Sequence, residues 1–209
     1  MKVFIIGDLM IDIYVNGNIN RMSPEAPVPV FEKEDSISKM GGALNVANCF
    51  SELGDDVFVI GRSGYDEDLL KNIIPSTIKH FLVNDSSIPS TKKTRILSNN
   101  NHLLRIDDES NKKIDFKQEK EVMNVLSKNV KNIDALVLSD YNKGFLTKSL
   151  ISNVIKLCKK NKIKTYLDPK FRNVEIYKNI NILKANKKEA SFLSNINISD
   201  KSSLEKAIK

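Results

Sequence analysis

The stretch that decides the fold spans residues 38–54 and reads S-K-M-G-G-A-L-N-V-A-N-C-F-S-E-L-G. Two glycines, Gly41 and Gly42, precede a run with helical periodicity. The apolar residues of this run recur every three or four positions on one helix face: Ala43, Val46, Ala47, Phe50 and Leu53. Gly54 suits the left-handed position that ends many helices. The stretch therefore predicts a glycine turn that leads into a helix packed on the core.

The same glycine pair is a candidate ligand site. Without a Cβ atom, Gly41 and Gly42 let a ligand approach bare backbone. The first N–H groups of the helix have no internal partner, and the helix dipole is positive at that end. Asn45 adds an amide that both donates and accepts hydrogen bonds. These features suit hydroxyls or an anion, and the alternative is a glycine turn that only begins a core helix.

The composition restricts the function classes. The 209 residues are 41% hydrophobic and 28% charged, with a net charge of +7. The apolar run at the start is too short for a signal peptide or a membrane span, so we expect a cytoplasmic protein with no membrane partner. The lysines are scattered without interleaved aromatic residues, which argues against nucleic acid and suits an anionic substrate. Cys49 and Cys158 are expected to be buried free thiols.

Strand and helix patterns predict an α/β fold. Apolar runs such as residues 135–139 are typical of parallel strands buried on both faces, and amphipathic helices such as residues 146–160 separate them. This alternation predicts a doubly wound parallel sheet. Ligands bind at the carboxyl ends of strands in such sheets, and polar residues follow several of those ends: Asp8, Asp140, Asp168, Asn186 and Glu189. Their oxygens suit sugar hydroxyls or water-bound Mg²⁺.

Two further segments do not belong to that alternation. Residues 91–98 and 102–107 flank an asparagine turn and predict a β-hairpin. The hairpin carries three cations that suit an anionic group: Lys93, Arg95 and Arg105. The proline-rich segment 21–29 cannot form a helix or a central strand, and it displays Ser23 and Glu25 on a stiff loop. The alternative for the hairpin is an exposed basic ribbon that binds no ligand, and the alternative for the proline-rich segment is a rigid edge loop.

Several of these motifs resemble the ribokinase-like, or PfkB, carbohydrate kinases. They are Gly7-Asp8 with Asp12, the run at residues 41–47, the G-x-x-G-x-D spacing at residues 61–66, and Asn186-x-x-Glu189. Within the family, the finer resemblance is to D-glycero-β-D-manno-heptose 7-phosphate kinases, which are often the N-terminal domain of a bifunctional enzyme of ADP-heptose synthesis. It rests on residues 21–30, on L-S-D-Y-x-K-G at residues 138–144 and on Asp168-Pro169-Lys170.

The resemblance implies a three-layer α/β body with a small β-sheet lid near residues 13–37 and 91–106. The acceptor sugar would lie between lid and body, at residues that include a glycine pair and several carboxylates: Asp8, Asp12, Ser23, Glu25, Gly41, Gly42, Asn45 and Asp140. Lys93, Arg105 and Lys170 would meet its phosphate. The phosphates of ATP, and Mg²⁺ held by Glu189 through water, would lie at Asn186, Lys187, Lys188 and Glu189. A homodimer through the lid is also implied.

The main departure from the family is the absence of its G-A-G-D motif, which carries the catalytic aspartate, from these 209 residues. We therefore expect one kinase domain that is incomplete at its C-terminus and inactive alone. The resemblance implies that the intact form moves the γ-phosphoryl group of ATP to the C1 hydroxyl of heptose 7-phosphate for lipopolysaccharide core synthesis. The alternatives are another PfkB kinase of ribokinase or fructokinase type, and a non-catalytic sugar-phosphate-binding or lid-dimerisation protein.

Overall fold

The computed structural model describes residues 1–170 and 174–208 of the chain. Its ten strands, in chain order, are β1 (Lys2–Gly7), β2 (Leu9–Met22), β3 (Pro29–Gly42), β4 (Asp56–Ser63), β5 (Ile78–Asn84), β6 (Thr91–Ser98), β7 (Asn101–Asp108), β8 (Ala135–Ser139), β9 (Lys164–Asp168) and β10 (Ile182–Leu183). Its α-helices are α1 (Ala43–Glu52), α2 (Glu67–Ile73), α3 (Phe116–Asn129), α4 (Lys148–Lys160), α5 (Lys187–Ser194) and α6 (Lys201–Ile208). None of the helices in these residues is long and apolar enough to cross a bilayer.

Six strands form the body sheet, in the order β10-β9-β8-β1-β4-β5, and every neighbouring pair is parallel. Alternate residues of the central strand enter different hydrophobic clusters, as the period of a strand requires. Phe4 and Ile6 pack with residues of α3 and α4, whereas Val3 and Ile5 pack with residues of α1 and α2. The predicted three-layer α/β body is therefore confirmed.

Four strands form the lid sheet, in the order β3-β2-β6-β7. β2 pairs with β3 in antiparallel and with β6 in parallel orientation, and β6 and β7 form the predicted hairpin. The lid strands are longer than the predicted segment 13–37, because β2 begins directly after Asp8 and β3 continues to Gly42. The lid is thus an extension of the central body strand rather than a separate unit.

Some local predictions were wrong for reasons that the packing explains. The sequence Gly-Arg-Ser-Gly at residues 61–64 predicts a turn. These residues lie largely within β4 instead, where Gly61 pairs with Leu82 of β5 and leaves room for the Leu9 side chain. The predicted face of α1 packs on the core at four of its five positions, since Ala43 and Ala47 are buried and Val46 and Phe50 are partly buried. Two residues expected inside are exposed: Leu53 and Cys49.

Cys158 is buried and free as predicted, and burial raises the pKa of its thiol to about 12. The sequence Ser-Ser-Leu-Glu at residues 202–205 predicts a capping box that begins the last helix, and the structure differs slightly from it. α6 begins at Lys201, and the carboxylate of Asp200 accepts a hydrogen bond from the N–H of Ser203 at 2.8 Å. Asp200 therefore provides the side-chain cap that the sequence pattern placed two residues later.

Candidate functional site

Lid and body meet at one backbone junction. Asp8 separates β1 from β2, and Gly42 is the last residue of β3, directly before α1. The N–H of Ala43 donates to the carbonyl of Asp8 at 2.9 Å. Gly42 has a φ of 56°, and a Cβ atom there would collide with that carbonyl and with the Met10 side chain. The requirement for glycine at position 42 therefore comes from the approach of two protein segments as well as from any ligand.

Asp8 is buried, and the loop after β8 surrounds its carboxylate. Oδ2 accepts hydrogen bonds from the N–H groups of Tyr141 at 2.8 Å and Lys143 at 3.2 Å, and Oδ1 accepts from Phe145 at 3.4 Å. Burial raises the pKa of Asp8, and the charge of Asp140 raises it further. Contact of Asp8 with the acceptor stays a prediction; in this structure the carboxylate is buried and accepts from backbone N–H groups.

Asp140 is the second expected acceptor residue whose carboxylate is enclosed by protein groups. Its side chain is fully buried. One oxygen accepts from the N–H of Asn142 and the other from the hydroxyl of Tyr177, each at 2.8 Å. Asp140 therefore shapes residues 140–145 and presents no oxygen to a sugar.

Asp12 lies on β2, just beyond the junction. Its Oδ1 accepts a hydrogen bond from Nη1 of Arg95 at 2.5 Å. Its carboxylate lies against Gly41, where any side chain would collide with it. The guanidinium of Arg95 also stacks over the Tyr14 ring, 5.2 Å from the centroid. An ion pair and a bare glycine thus hold the Asp12 carboxylate in one position.

The cations of the hairpin share a face of the lid with Asp12, because residues opposite each other on paired strands point to the same side. Lys93 lies opposite Asp12 on β2 and Asp107 on β7, and Arg105 lies opposite Arg95. The Nζ atom of Lys93 is 3.2 Å from Oδ2 of Asp107, and Arg105 binds both oxygens of Asp107 at 2.8 and 3.0 Å. This face of the lid carries alternating positive and negative charges.

A second charged group lies at the carboxyl edge of the body sheet. Nζ of Lys170 is 3.0 Å from Oε1 of Glu189 and 5.0 Å from the centre of the Tyr141 ring. Oε2 of Glu189 accepts from the N–H of Asn186 at 2.9 Å, and Asn186 caps α5 in return. Burial alone would raise the pKa of Glu189, but the Asn186 N–H and the Lys170 ammonium outweigh it and lower the pKa. Glu189 is therefore an ionised, well-fixed carboxylate.

The remaining predicted site residues are largely exposed. Ser23 and Glu25 lie in the exposed turn between β2 and β3. The ten residues of β2 between Asp12 and Met22 span roughly 33 Å at about 3.3 Å per residue, so the structure separates this turn from Asp12. Asn45 is exposed on the first turn of α1, and three polar residues are exposed at the start of α5: Asn186, Lys187 and Lys188.

The structure adds residues to which the sequence assigned no role. Nζ of Lys143 is 2.5 Å from Oε1 of Glu109, which follows β7. Arg62 donates to the carbonyls of Lys112 at 2.5 Å and Lys143 at 2.7 Å. Lys143 stands in the motif L-S-D-Y-x-K-G, so a signal for it was present. Glu109 and Arg62 carry no such signal, since their positions depend on how the lid meets the body.

No group of three or more metal-ligating side chains occurs among residues 1–170 and 174–208. Mg²⁺ usually binds through one or two carboxylates together with substrate phosphates, and it keeps several waters. In Glu189 both oxygens already have protein partners. A role for Glu189 toward a hydrated ion fits this arrangement, whereas direct coordination would compete with Lys170.

One known protein family matches the chain over its whole length. The profile of the pfkB family carbohydrate kinases matches residues 1–209. The chain is 39% identical over 212 residues to a bifunctional protein HldE of Sulfurimonas denitrificans, and the match covers 99% of this chain and 44% of that protein. The chain therefore spans less than half the length of the curated relatives that it matches.

Solved structures show the same fold at low sequence identity. Phosphofructokinase-2 from Escherichia coli, solved in complex with substrates and products, gives a TM-score of 0.73 at 15% identity, covering 99% of this chain and 67% of that one. Ribokinase from Arabidopsis thaliana, complexed with ribose and ATP, gives 0.67 at 17% identity, with 99% and 66% covered. These similarities confirm the ribokinase-like arrangement of body and lid.

Proposed function

Since the chain belongs to the pfkB family of carbohydrate kinases, we propose that it supplies the acceptor site of an ATP-dependent sugar-phosphate kinase. The proposed reaction moves the γ-phosphoryl group of ATP to the C1 hydroxyl of heptose 7-phosphate. The observation that carries the proposal is the Asp12 carboxylate, which Arg95 holds at 2.5 Å against the bare backbone of Gly41. A fixed carboxylate beside open backbone suits sugar hydroxyls, which donate to it.

The choice of a phosphorylated acceptor rests on the charges around that carboxylate. Lys93 shares the lid face of Asp12, and Arg105 lies on the outer strand of the same face. Lys170 approaches from the body, above the Tyr141 ring. Charge-assisted hydrogen bonds from such groups favour a phosphate over a neutral sugar. The similarity to HldE proteins favours heptose 7-phosphate over the acceptors of ribokinase- or fructokinase-type enzymes.

We assign the ATP phosphates to the exposed start of α5, at Asn186, Lys187 and Lys188. This helix begins at the carboxyl edge of the parallel sheet, where ligands bind in open α/β folds. The N-terminal N–H groups and helix dipole favour anions there. Glu189 is assigned to water bound by Mg²⁺, and Mg²⁺ would neutralise charge on the transferred phosphate.

We assign no catalytic base within the 209 residues, and we propose that this chain alone does not transfer phosphate. Phosphoryl transfer depends mostly on positioning and on stabilising charge, and the residues described above provide acceptor positioning. An ADP-release measurement on the chain with ATP, Mg²⁺ and heptose 7-phosphate tests this. Turnover that purifies with the chain would overturn it.

Calorimetric titration of the chain tests the acceptor assignment. Heptose 7-phosphate should bind, and Asp12→Asn should weaken that binding by roughly tenfold or more, because a charged acceptor of hydroxyl protons is lost. Asp35→Asn is the matched control, since Asp35 is an exposed lid carboxylate paired with Asn16 far along β2. Equal affinity of wild type and Asp12→Asn would refute the assignment.

A further inference from the structure

We propose that Lys143 and Lys93 together bind the phosphate of the acceptor where lid and body meet, and that Glu109 occupies this position in the free protein. The inference rests on the proposed function and names a phosphate-binding residue, Lys143, and an internal competitor, Glu109. The exchange is one of ion pairs only: the phosphate takes the two ammonium groups, and the Glu109 side chain turns away.

The geometry brings two cations from different parts of the fold to one carboxylate. Nζ of Lys143, from the loop after β8, is 2.5 Å from Oε1 of Glu109. Nζ of Lys93, from lid strand β6, is 3.6 Å from Oε2 of the same residue. An anion between two ammonium groups is the arrangement that a phosphate requires, and phosphate offers more acceptor oxygens than a carboxylate.

Glu109 is an imperfect occupant of this position. Its Oε2 atom is buried and has no hydrogen-bond partner within the part of the chain that the structure describes. The ammonium of Lys93, at 3.6 Å from that oxygen, lies beyond hydrogen-bond distance. A buried polar atom without a hydrogen bond is unfavourable. Replacing the Glu109 carboxylate by a phosphate that bonds to both lysines therefore lowers the free energy.

Lys143 is held for this role by its backbone. Its N–H donates to Oδ2 of Asp8, and its carbonyl accepts from Nη2 of Arg62 at 2.7 Å. The buried Asp8 therefore acts as a positioning residue for the loop that carries Lys143. Lys93 lies directly opposite Asp12, which we assign to the sugar hydroxyls. The two lysines thus lie beside the proposed sugar position. Arg105 shares Asp107 with Lys93, but its side chain is far more exposed than that of Lys93.

Side-chain exposure supports a built site rather than a surface ion pair. The exposed fractions are 18% for Lys143, 17% for Lys93 and 24% for Glu109. By contrast, the ion pair of Lys79 with Asp56, at 2.9 Å, has exposed fractions of 60% and 45%. Charges that are mostly removed from water interact more strongly than exposed ones.

Two substitutions at the site should act in opposite directions. Lys143→Gln should weaken binding of heptose 7-phosphate by about tenfold to a hundredfold, the range for one charge-assisted hydrogen bond. Glu109→Gln should strengthen it several-fold, because the internal competitor loses its charge. Lys79→Gln and Asp56→Asn are matched controls that make the same charge changes in an exposed pair, and they should leave the affinity unchanged.

Titration calorimetry with four ligands separates the possible failures. The ligands are heptose 7-phosphate, the unphosphorylated heptose, inorganic phosphate and ATP, with a thermal melt of each variant to confirm folding. Sensitivity to Lys143→Gln and Glu109→Gln for heptose 7-phosphate and inorganic phosphate, but not for heptose or ATP, supports the inference. If only inorganic phosphate shows that sensitivity and the heptose does not bind, the phosphate site stands and the proposed function fails. Heptose 7-phosphate that binds equally to wild type and Lys143→Gln, or a loss confined to ATP, overturns the inference while leaving the proposed function intact.

Discussion

The body and lid sheets grow from one continuous chain yet are stabilised differently. Every residue of body strand β8 is buried, whereas every residue of lid strand β7 except Asp108 is exposed. The body gains stability from apolar area removed from water on both faces of the sheet. The lid relies on its hydrogen-bond ladder and on ion pairs such as those of Asp107 with Lys93 and Arg105. The comparison shows a body sheet held by apolar packing and a lid sheet whose surface is charged and polar.

The largest effect should come from cavities in the body. Leu136→Ala, in β8, should lower the free energy of unfolding by about 2–5 kcal/mol, the range for a fully buried leucine. Leu104→Ala, in the exposed lid strand β7, should change it by less than about 0.5 kcal/mol. Denaturant unfolding measures both. Similar losses of unfolding free energy at the two positions would contradict the difference between body and lid.

A smaller effect is expected where a carboxylate links the two regions. Asp66 accepts from the N–H of Ser90 at 2.7 Å and from lid residue Lys92 at 2.6 Å. Burial alone would raise the pKa of Asp66, but these bonds outweigh it and lower the pKa. Asp66→Asn should therefore cost about 1.5–3 kcal/mol at pH 7, the range for hydrogen bonds to a charged group.

The pH dependence gives this prediction a second test. Because the folded pKa of Asp66 is lowered, its contribution is fully present above the unfolded value of about 4 and is lost as pH falls through the folded pKa. Wild type should lose stability relative to Asp66→Asn over that acid range. The raised pKa of Asp8 acts with the opposite sign, since its charged form is disfavoured by folding. Parallel pH curves for wild type and Asp66→Asn would contradict the assignment.

The lid charges should affect binding more than folding. Lys93→Ala should weaken heptose 7-phosphate by about tenfold, or about 1.4 kcal/mol, and leave unphosphorylated heptose nearly unchanged. Arg105→Ala should act in the same direction but less, because its side chain is 56% exposed. Calorimetry with both sugars measures the ratio. Equal losses of affinity for the two sugars would show that these cations do not bind the phosphate group.

The smallest effect on stability is expected at the lid edge. β7 is the edge strand of the lid sheet, and it carries the exposed apolar residues Leu104 and Ile106, which favours the homodimer through the lid that the resemblance implies. Ile106→Lys should shift any dimer toward monomer in sedimentation velocity and change unfolding by less than about 0.5 kcal/mol. Thr94 lies opposite Ile106, so a lysine there meets no buried apolar partner. A wild-type chain that stays monomeric at high concentration would refute lid dimerisation.

The two regions also differ in how well the sequence predicts them. The continuous apolar run at residues 135–139 predicted β8 with the correct bounds. In the lid, the hairpin strand β6 was predicted with the correct bounds, whereas β2 and β3 extend beyond the predicted segment 13–37. Three asparagines of β2, at positions 16, 18 and 20, donate to carboxylates of β3 at 2.7, 2.5 and 3.2 Å. Those pairs stabilise the strands only in the correct register, which a single segment does not reveal.

The candidate site shows the same limit. Asp12, Lys93 and Arg105 were predicted to be near one another, and the lid brings them to one face. Asp8 and Asp140 follow strand ends as ligand-binding residues often do, but a loop more than a hundred residues later in the chain encloses Asp8. Burial of this kind depends on tertiary packing, so strand-end position alone could not distinguish a structural carboxylate from a binding one.

The carboxylate of Asp8 also sets an order of events during synthesis. Its donors, from Tyr141 to Phe145, are separated from it by 133 to 137 positions along the chain. Pairing of β1 with β8 has the same delay, whereas β2 and β3 form a hairpin from neighbouring residues. On the ribosome, where folding proceeds from the N-terminus, the hairpin of β2 and β3 can form before the body sheet is complete. Until the loop after β8 emerges, Asp8 remains in water as an ordinary ionised side chain. Its enclosure marks the step at which body and lid become one folded unit.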